Sequence, residues 1–230
     1  TSVDKAENES KSAITVNTSL PKAMSNACAE LNIPFLHLST DYVFSGKGKI
    51  PWKPEDFTSP QNIYGLTKLN GEKAICASGA NYVILRTSWV FSSSGENIVK
   101  NLINLSKKQN KLFIVSDQIG APTPARDVAS TCLTIIEQLQ RDPKKSGIYH
   151  YTGKPYVSWY RFAKTIFKKT NFEIEIEPIL TKNYGSIAKR PLNSRMDCKK
   201  TKKIFDISQP DWEVGLIKVL KEIGVYNAKT

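Results

Sequence analysis

"IPFLHLST", residues 33–40, and "NYVILRTSWVF", residues 81–91, are the two stretches that decide the fold. Each is almost continuously apolar before it ends in polar residues, which is typical of strands that helices cover on both faces of a parallel sheet. A helical pattern over 61–78 lies between them. A strand, a helix and a second strand in this order predict an α/β protein with a Rossmann-like, doubly wound parallel sheet.

The alternation continues along the chain. Further helices are predicted over 17–32, 96–110, 124–142, 158–170 and 211–224, and further strands over 111–117, 146–153 and 172–179. The pattern shifts after the fourth predicted strand, because the next strand alternates apolar and polar residues. We therefore expect residues 1–153 to form the main domain and residues 154–230 to form mainly a smaller lobe, with room for single elements to return to the main domain.

The composition excludes several classes of protein. Of the 230 residues 40% are hydrophobic, which is enough for a core, and no run of about 18 apolar residues exists to span a membrane. The net charge is +12, but the lysines are dispersed and no aromatic-interleaved basic motif accompanies them, so we expect no nucleic acid partner. A solvated basic surface is the simplest interpretation, and a positive field that attracts a phosphorylated small molecule is the second.

Cysteine and histidine usage predicts neither disulfides nor metal binding. The four cysteines lie far apart without a Cys-x-x-Cys pair, which predicts buried, reduced thiols in a cytoplasmic protein. The two histidines, His37 and His150, both lie in predicted strands. This inventory predicts no zinc site.

Polar residues follow the predicted strands at the point where each strand ends. Ligands of open α/β sheets bind at the carboxyl ends of the strands. The rule places Ser39, Thr40 and Asp41 at this edge after the first strand, residues 87–89 beside them after the second, and residues 117–123 after the third. Three polar strand ends at one edge predict a ligand site.

Tyr64 and Lys68 supply the chemistry for such a site. Residues four apart stack on one face of a helix, so the phenol and the ammonium lie side by side. An adjacent ammonium favours the phenolate and lowers the pKa of a tyrosine from its usual value of about 10. A tyrosine tuned in this way exchanges a proton with a carbonyl near neutral pH, and the Thr40 hydroxyl, at the facing strand end, hydrogen-bonds the same oxygen.

A set of motifs in fixed order carries a family resemblance. These are "TSVDKAE" at 1–7, "LSTDYVFSGKG" at 38–48, "PQNIYGLTKLNGEK" at 60–73, "LRTSWVF" at 85–91, "SDQIGAPT" at 116–123 and "RPLNSRMD" at 190–197. In this combination, which covers essentially the whole chain, the sequence resembles the dTDP-4-dehydrorhamnose reductases, a family of extended short-chain dehydrogenases.

The resemblance implies an activity and a cofactor. These enzymes use NADPH or NADH to reduce the 4-keto group of dTDP-4-dehydro-L-rhamnose, and the product, dTDP-L-rhamnose, supplies cell-surface polysaccharide. The implied partner is thus a dTDP-sugar, with residues 1–153 binding the cofactor and residues 154–230 the sugar nucleotide. The resemblance leaves a homodimer possible.

The resemblance also implies roles for individual residues. Tyr64 is the expected proton donor, and Lys68 holds the nicotinamide ribose, with Ser39 beside them at the cofactor. The expected substrate contacts are Thr40, Asp41, Trp89, Arg190, Asn193 and Arg195, the last three of them facing the nucleotide diphosphate, where the arginine fork suits phosphate oxygens.

Two alternatives to this activity stay open. One is a reductase or epimerase that acts on another nucleotide sugar, such as a UDP sugar. The other is a non-catalytic relative, such as the regulatory β subunit of methionine adenosyltransferase, which binds a partner enzyme. The intact set of Thr40, Tyr64 and Lys68 favours an enzyme, because a non-catalytic relative is free to lose it.

One family feature is not found in the sequence. None of the 12 glycines forms the G-x-G-x-x-G turn that rests a dinucleotide pyrophosphate on a helix N-terminus. The expectation is therefore a chain that lacks roughly 60 N-terminal residues of the fold, counted as two strand–helix units of about 30 residues each. Such a chain has an exposed apolar sheet edge and is expected to be inactive alone.

We accordingly predict that the 230-residue chain binds NADPH weakly or not at all. The physical reason is that most of the cradle for pyrophosphate and adenosine is missing. Isothermal titration calorimetry with NADPH measures this directly, and micromolar affinity would contradict the argument from the glycine pattern.

Overall fold

The structure is a computed structural model that describes residues 2–228, so Thr1 of the "TSVDKAE" motif lies outside the described residues. The helices are α1 (Val3–Asn8), α2 (Ser10–Ile14), α3 (Leu20–Glu30), α4 (Ile63–Cys76), α5 (Ile98–Ser106), α6 (Ala125–Arg141), α7 (Trp159–Lys168), α8 (Lys199–Phe205) and α9 (Trp212–Glu222). The strands are β1 (Phe35–Thr40), β2 (Tyr82–Thr87), β3 (Val90–Phe91), β4 (Lys111–Val115), β5 (Ile119–Gly120), β6 (Thr123–Pro124), β7 (Gly147–His150), β8 (Val157–Ser158) and β9 (Glu175–Ile179).

The central sheet has three parallel strands in the order β1-β2-β7. In β1 and β2 the register pairs Phe35 with Tyr82 and Thr40 with Thr87, so the two strands end at the same level. The polar residues that follow them therefore meet at one edge of the sheet. The expected α/β architecture with parallel strands is confirmed.

Helices cover both faces of this sheet. On one face α3 and α4 pack over Phe35 and Ile84, with Ile75 of α4 fully buried. On the other face α6 and α8 pack over Val83 and Leu85. Alternating residues of β2 thus enter two separate hydrophobic clusters, which is why this strand is apolar throughout.

Two predicted strands differ from their expected form. The stretch 81–91 breaks into β2 and β3, because Trp89 adopts a left-handed backbone with φ of +53° that no strand continues through. The stretch 111–117 forms β4, but β4 pairs in parallel with β9 and not with the central sheet. Periodicity identifies a strand without identifying its neighbour, and here the partner lies more than 60 residues further along the chain.

A second hydrophobic core lies beside the sheet and unites residues from both sides of position 153. It joins Leu102 of α5 and Leu112 of β4 to Phe162 of α7 and to Trp212 and Leu216 of α9. Helix α8, although it lies after position 153, packs on β7 of the central sheet and on α6, which covers that sheet. The division at 153/154 stays a prediction.

Three further findings concern side-chain exposure and hydrophobicity. Cys198 is buried, but Cys28 and Cys132 are half-buried and Cys76 is exposed, so the expectation of four buried thiols was wrong for three of them, although all four are free. Leu38 of β1, at the edge of the central sheet, is 43% exposed. Among residues 2–228 no helix has the length and hydrophobicity needed to cross a bilayer.

A buried ion pair connects the sheet, α4 and the long loop at 45–61. Arg86 Nε and Nη2 donate to the two carboxylate oxygens of Glu72 at 2.9 and 2.6 Å, and both side chains are 2% exposed. Arg86 Nη1 also donates to the carbonyl of Pro54 at 3.1 Å, and the guanidinium lies 5.0 Å from the centre of the Phe44 ring. The pair therefore fixes α4 and the loop relative to β2.

We predict that Glu72→Gln lowers the free energy of unfolding by about 3 kcal/mol, because it leaves the Arg86 charge buried without a counterion. Urea unfolding of the 230-residue chain measures the change. Lys202→Met, which breaks the exposed pair with Asp206, is the control and is expected to change little. An equal effect of the two substitutions would show that the buried pair does not hold the fold together.

Candidate active site

A cavity of about 640 Å³ opens at the carboxyl edge of the central sheet. Six of the residues predicted from the sequence line it, which are Ser39, Thr40, Asp41, Tyr64, Lys68 and Trp89. The level ends of β1 and β2 supply four of them, and α4 supplies Tyr64 and Lys68. The structure therefore brings together the residues that the strand-end rule and the Tyr-x-x-x-Lys spacing selected separately.

The start of α4 positions Tyr64. The Asn62 side chain caps the helix by accepting from Gly65 N at 2.7 Å, and Glu7 Oε1 of α1 accepts from Ile63 N at 2.8 Å. Gly65 has no side chain at the point where the helix passes the Tyr42 carbonyl, and a Cβ there would clash with that oxygen. Tyr64 thus enters the cavity from the first turn of α4, with its ring 5.5 Å from that of Tyr42 in an edge-to-face arrangement.

Lys68 lies one turn further along α4 and is only 8% exposed. Its Nζ donates to the Leu38 carbonyl at 2.7 Å and lies 3.0 Å from His37 Nε2. Burial lowers the pKa of Lys68 to about 8, while the nearby Glu72 carboxylate acts in the opposite direction. The ammonium is thus held between the helix and β1 at the rim of the cavity.

Thr40 and Asp41 form a linked pair at the end of β1. Thr40 Oγ1 donates to Asp41 Oδ1 at 3.2 Å and accepts from Tyr42 N, also at 3.2 Å. Asp41 is 2% exposed, and burial raises its pKa to about 6 although hydrogen bonds lower it in part. Rotation about the C–O bond of Thr40 is sufficient to turn its proton from Asp41 towards the cavity.

Four buried polar atoms of this cavity have no hydrogen-bond partner within residues 2–228. They are Ser39 Oγ, Asp41 Oδ2, Thr87 Oγ1 and Ser88 Oγ. Burying a polar atom without a partner costs about 1–3 kcal/mol, so four in one cavity indicate a site that a polar ligand completes.

Two stacked indoles form the far wall. Trp89 and Trp159 lie with ring centroids 3.5 Å apart and planes at 11°. Gly120 allows this packing, because a Cβ there would lie 2.7 Å from Trp89 Cε2. The left-handed backbone of Trp89 turns its indole into this stack, and the Trp89 carbonyl accepts from Thr123 N at 3.1 Å.

Arg190 lines a second cavity of about 310 Å³ beyond this wall. Tyr42, Gln118 and Trp159 line both cavities and form the partition between them. The Arg190 guanidinium is held by Asp4 of α1, with Nη2 to Oδ2 at 2.7 Å and Nη1 to Oδ1 at 3.3 Å. Arg190 therefore carries its charge at the edge of the second cavity, and its Nε is left out of the ion pair.

Asn193 and Arg195 are not among the residues that line either cavity. Asn193 is fully buried, its Nδ2 donates to the Ile50 carbonyl at 2.8 Å, and its own carbonyl accepts from Trp52 Nε1 at 3.1 Å. Arg195 Nη1 donates to Asn193 Oδ1 at 2.9 Å. In this structure the two residues fasten the loop at 45–61, so their contact with a ligand stays a prediction.

Several cavity residues were not selected from the sequence. Ser88 and Gln118 lie in stretches that the strand-end rule marked, whereas Asp117 of the same stretch turns away and accepts from Thr181. His37 lies within a predicted strand and Trp159 at the start of a predicted helix, and neither was selected for the site. The strand-end rule was a sufficient signal for the first two, but no local pattern distinguishes the last two.

The fold and the cavity together define the class of protein. A Rossmann-like parallel sheet with a tyrosine and a lysine one helical turn apart at its carboxyl edge is the arrangement of a short-chain dehydrogenase or reductase. The family model described as "RmlD substrate binding domain" matches residues 1–225, and the chain belongs to this family.

Individual relatives agree with this assignment. The chain is 40% identical over 219 residues to a dTDP-4-dehydrorhamnose reductase of Sinorhizobium fredii, covering 93% of this chain and 74% of the relative. A crystal structure of a dTDP-4-dehydrorhamnose reductase from Clostridium acetobutylicum superposes with a TM-score of 0.90 at 35% identity, covering 96% and 77% of the two chains. Another from Bacillus anthracis, in complex with NADP, gives 0.88 at 32% identity with the same coverage. The family resemblance and the fold expected from the sequence are confirmed.

We predict that Asp41→Asn stabilises the chain near neutral pH. The folded-state pKa of about 6 exceeds the ordinary value of 3.8, so the folded state retains a proton that the unfolded state releases, and stability falls as pH rises through this window. An amide does not titrate, so the variant should gain on the order of 2 kcal/mol at neutral pH and lose that gain near pH 4.

Urea unfolding at a series of pH values measures this difference. Glu137→Gln, on the exposed face of α6, controls for the loss of one negative charge from a basic protein. If D41N is less stable than the wild type at every pH, burial of the Asp41 carboxylate does not destabilise the folded chain.

Proposed function

We propose that this chain carries the residues with which an NAD(P)H-dependent reductase converts the 4-keto group of dTDP-4-dehydro-L-rhamnose to the alcohol of dTDP-L-rhamnose. The supporting observation is the cavity in which Tyr64, Lys68 and Thr40 meet four unpaired buried polar atoms. Family membership and dTDP-4-dehydrorhamnose reductases at up to 40% identity support the substrate.

Each residue has a defined part in the reduction. Tyr64 gives its hydroxyl proton to the 4-keto oxygen, and the Lys68 ammonium stabilises the phenolate that remains. Thr40 donates a hydrogen bond to the same oxygen once its hydroxyl turns away from Asp41. Asp41 Oδ2 accepts from a sugar hydroxyl, and Trp89 packs against the sugar ring.

The residues present fit the nicotinamide end of the cofactor. When bound, NADPH or NADH supplies the hydride. We infer that Lys68 and Tyr64 hold the nicotinamide ribose hydroxyls, and this is supported by Ser39 Oγ, an unpaired polar atom that lines the same cavity. We assign no residue to the pyrophosphate, because the sequence contains no G-x-G-x-x-G stretch.

The second cavity suits the nucleotide end of the substrate. The two cavities share Tyr42, Gln118 and Trp159 as lining residues, so a sugar nucleotide that reacts beside Tyr64 in the first cavity has its nucleotide end next to the second. Arg190 lines the second cavity and presents guanidinium donors, which suit a diphosphate. Asn193 and Arg195 have no place in this arrangement unless the loop at 45–61 moves.

Two further parts of the proposal concern the cellular compartment and the oligomeric state of the enzyme. Four free cysteines and the use of NADPH favour the cytoplasm as its compartment. A homodimer stays a prediction, and size-exclusion chromatography with light scattering measures it.

The proposed reaction is tested by NADPH oxidation at 340 nm with dTDP-4-dehydrorhamnose, using the protein expressed from its complete reading frame. The UDP analogue, measured in parallel, shows whether the enzyme prefers the thymidine nucleotide or the uridine nucleotide of the keto sugar. Inhibition by dTDP alone, competitive with the sugar nucleotide, is expected because the nucleotide end binds independently of the reacting carbonyl. No turnover of either keto sugar would refute the proposal and favour a non-catalytic relative.

We predict that Tyr64→Phe in that protein lowers kcat by about 10²–10⁴-fold, because the proton donor is lost. The phenylalanine keeps the ring and its edge-to-face contact with Tyr42, so the melting temperature should stay near that of the wild type. Leu66→Phe, at an exposed position of the same helix turn, is the control. Wild-type kcat in Y64F would show that Tyr64 is not the donor.

A further inference from the structure

The lysine of the proposed site is held by a neighbour that has no assigned role. Lys68 Nζ lies 3.0 Å from His37 Nε2 and donates to the Leu38 carbonyl at 2.7 Å. His37 precedes Ser39 and Thr40 on β1, so one strand carries both the end of the reactive site and the acceptor for its ammonium.

The chemistry of the contact follows from the charge on lysine. An ammonium has three donors and no acceptor, so His37 Nε2 must present its lone pair and the ring proton must sit on Nδ1. Burial together with the Lys68 charge lowers the pKa of His37 to about 3, which keeps the imidazole neutral. The ring also lies nearly parallel to Phe35, with centroids 6.3 Å apart at 19°.

We propose that His37 is a positioning residue of the reductase, which accepts a hydrogen bond from the Lys68 ammonium and holds it charged and aimed at Tyr64 and the cofactor ribose. This inference rests on the proposed function for its catalytic consequence. The contact between the two side chains is independent of that function and can be measured without turnover.

The three protons of the Lys68 ammonium have different acceptors, which explains how His37 holds it in position. Two of the three are directed to β1, by the Leu38 carbonyl and by His37, which leaves one for Tyr64 or a ribose hydroxyl. A carbonyl alone would leave the ammonium free to pivot and with fewer hydrogen bonds at a position where the side chain is only 8% exposed. A second acceptor in fixed geometry offsets part of the cost of burial and favours the charged form.

Among the charged groups around Lys68, the Glu72 carboxylate also favours the ammonium through its charge, but it does not accept a hydrogen bond from Lys68 Nζ. Glu72, on the next turn of α4, is engaged on both carboxylate oxygens by Arg86 of β2. Asp41, after β1, is buried with its carboxyl partly protonated near neutral pH. Tyr64, on α4 itself, is the group whose phenolate the Lys68 ammonium stabilises in the proposed reaction. His37 is therefore the side-chain acceptor that can be removed without adding or deleting a charge.

The test replaces the acceptor and follows Lys68 directly. His37→Leu and His37→Met remove it, whereas His37→Gln keeps an acceptor at about the same reach. NMR of ¹³C-labelled lysine side chains, with Lys68→Met to assign the signal and the exposed Lys73 of the same helix as reference, gives the Lys68 titration in the protein expressed from its complete reading frame. We expect the Lys68 pKa to fall by about one unit from its wild-type value in H37L and H37M, and by much less in H37Q.

Activity gives a second readout in the protein expressed from its complete reading frame. If Lys68 titrates one unit lower, kcat/KM of H37L should fall about fivefold at pH 8 and less than about twofold at pH 6, and H37Q should recover most of the loss. A role in packing alone predicts the same loss at both pH values and no recovery.

The two proposals fail in different measurements. An unchanged Lys68 titration in both H37L and H37M, or an equal shift in H37Q, would overturn the positioning role. Absence of turnover in the wild-type protein would instead overturn the proposed function and leave the Lys68 titration interpretable. Melting temperatures of the three variants show that the comparison is made between folded proteins.

Discussion

The site depends on one buried cation between α4 and β1. Lys68 is 8% exposed, and it is directed to the Leu38 carbonyl and to His37 on the strand. These contacts fix the rotation of α4 about its axis. Because Tyr64 lies one turn earlier on the same face, the rotation that buries Lys68 also turns the phenol into the cavity. Glu72, one turn later, extends the same face to Arg86 and completes the attachment of the helix to the sheet.

The cavity is built at a cost to stability that the rest of the fold offsets. Asp41 is buried with a raised pKa, four polar atoms lack partners among the residues that the structure describes, and Trp89 has a left-handed backbone. Each of these features is unfavourable by about 1–3 kcal/mol, and such features cluster where a ligand or a reaction requires them.

The sequence predicted those parts of the site that follow from local pattern. β1, β2 and α4 were readable from apolar runs and spacing, and the rule that ligands bind at strand ends placed Thr40 beside Tyr64. Local sequence pattern could not predict contacts between distant segments. The partner of β4, the stacking of Trp159 on Trp89 and the burial of Asn193 under the loop at 45–61 all depend on which elements meet in space. His37 belongs to the same class, because an acceptor for Lys68 is recognisable only once strand and helix are packed.

The partition between the two cavities bears on how such a site selects its substrate. In the reaction that we propose, the carbonyl contacts only Tyr64 and Thr40, whereas the adjoining cavity has Arg190 and aromatic walls at a distance from the chemistry. Binding energy from a remote part of a substrate can be used to orient the reacting group, so a keto sugar without its nucleotide should lose kcat as well as affinity. The Asp4–Arg190 pair adds to this argument. It holds the guanidinium in place, so the diphosphate that we propose binds there would not have to order a free side chain.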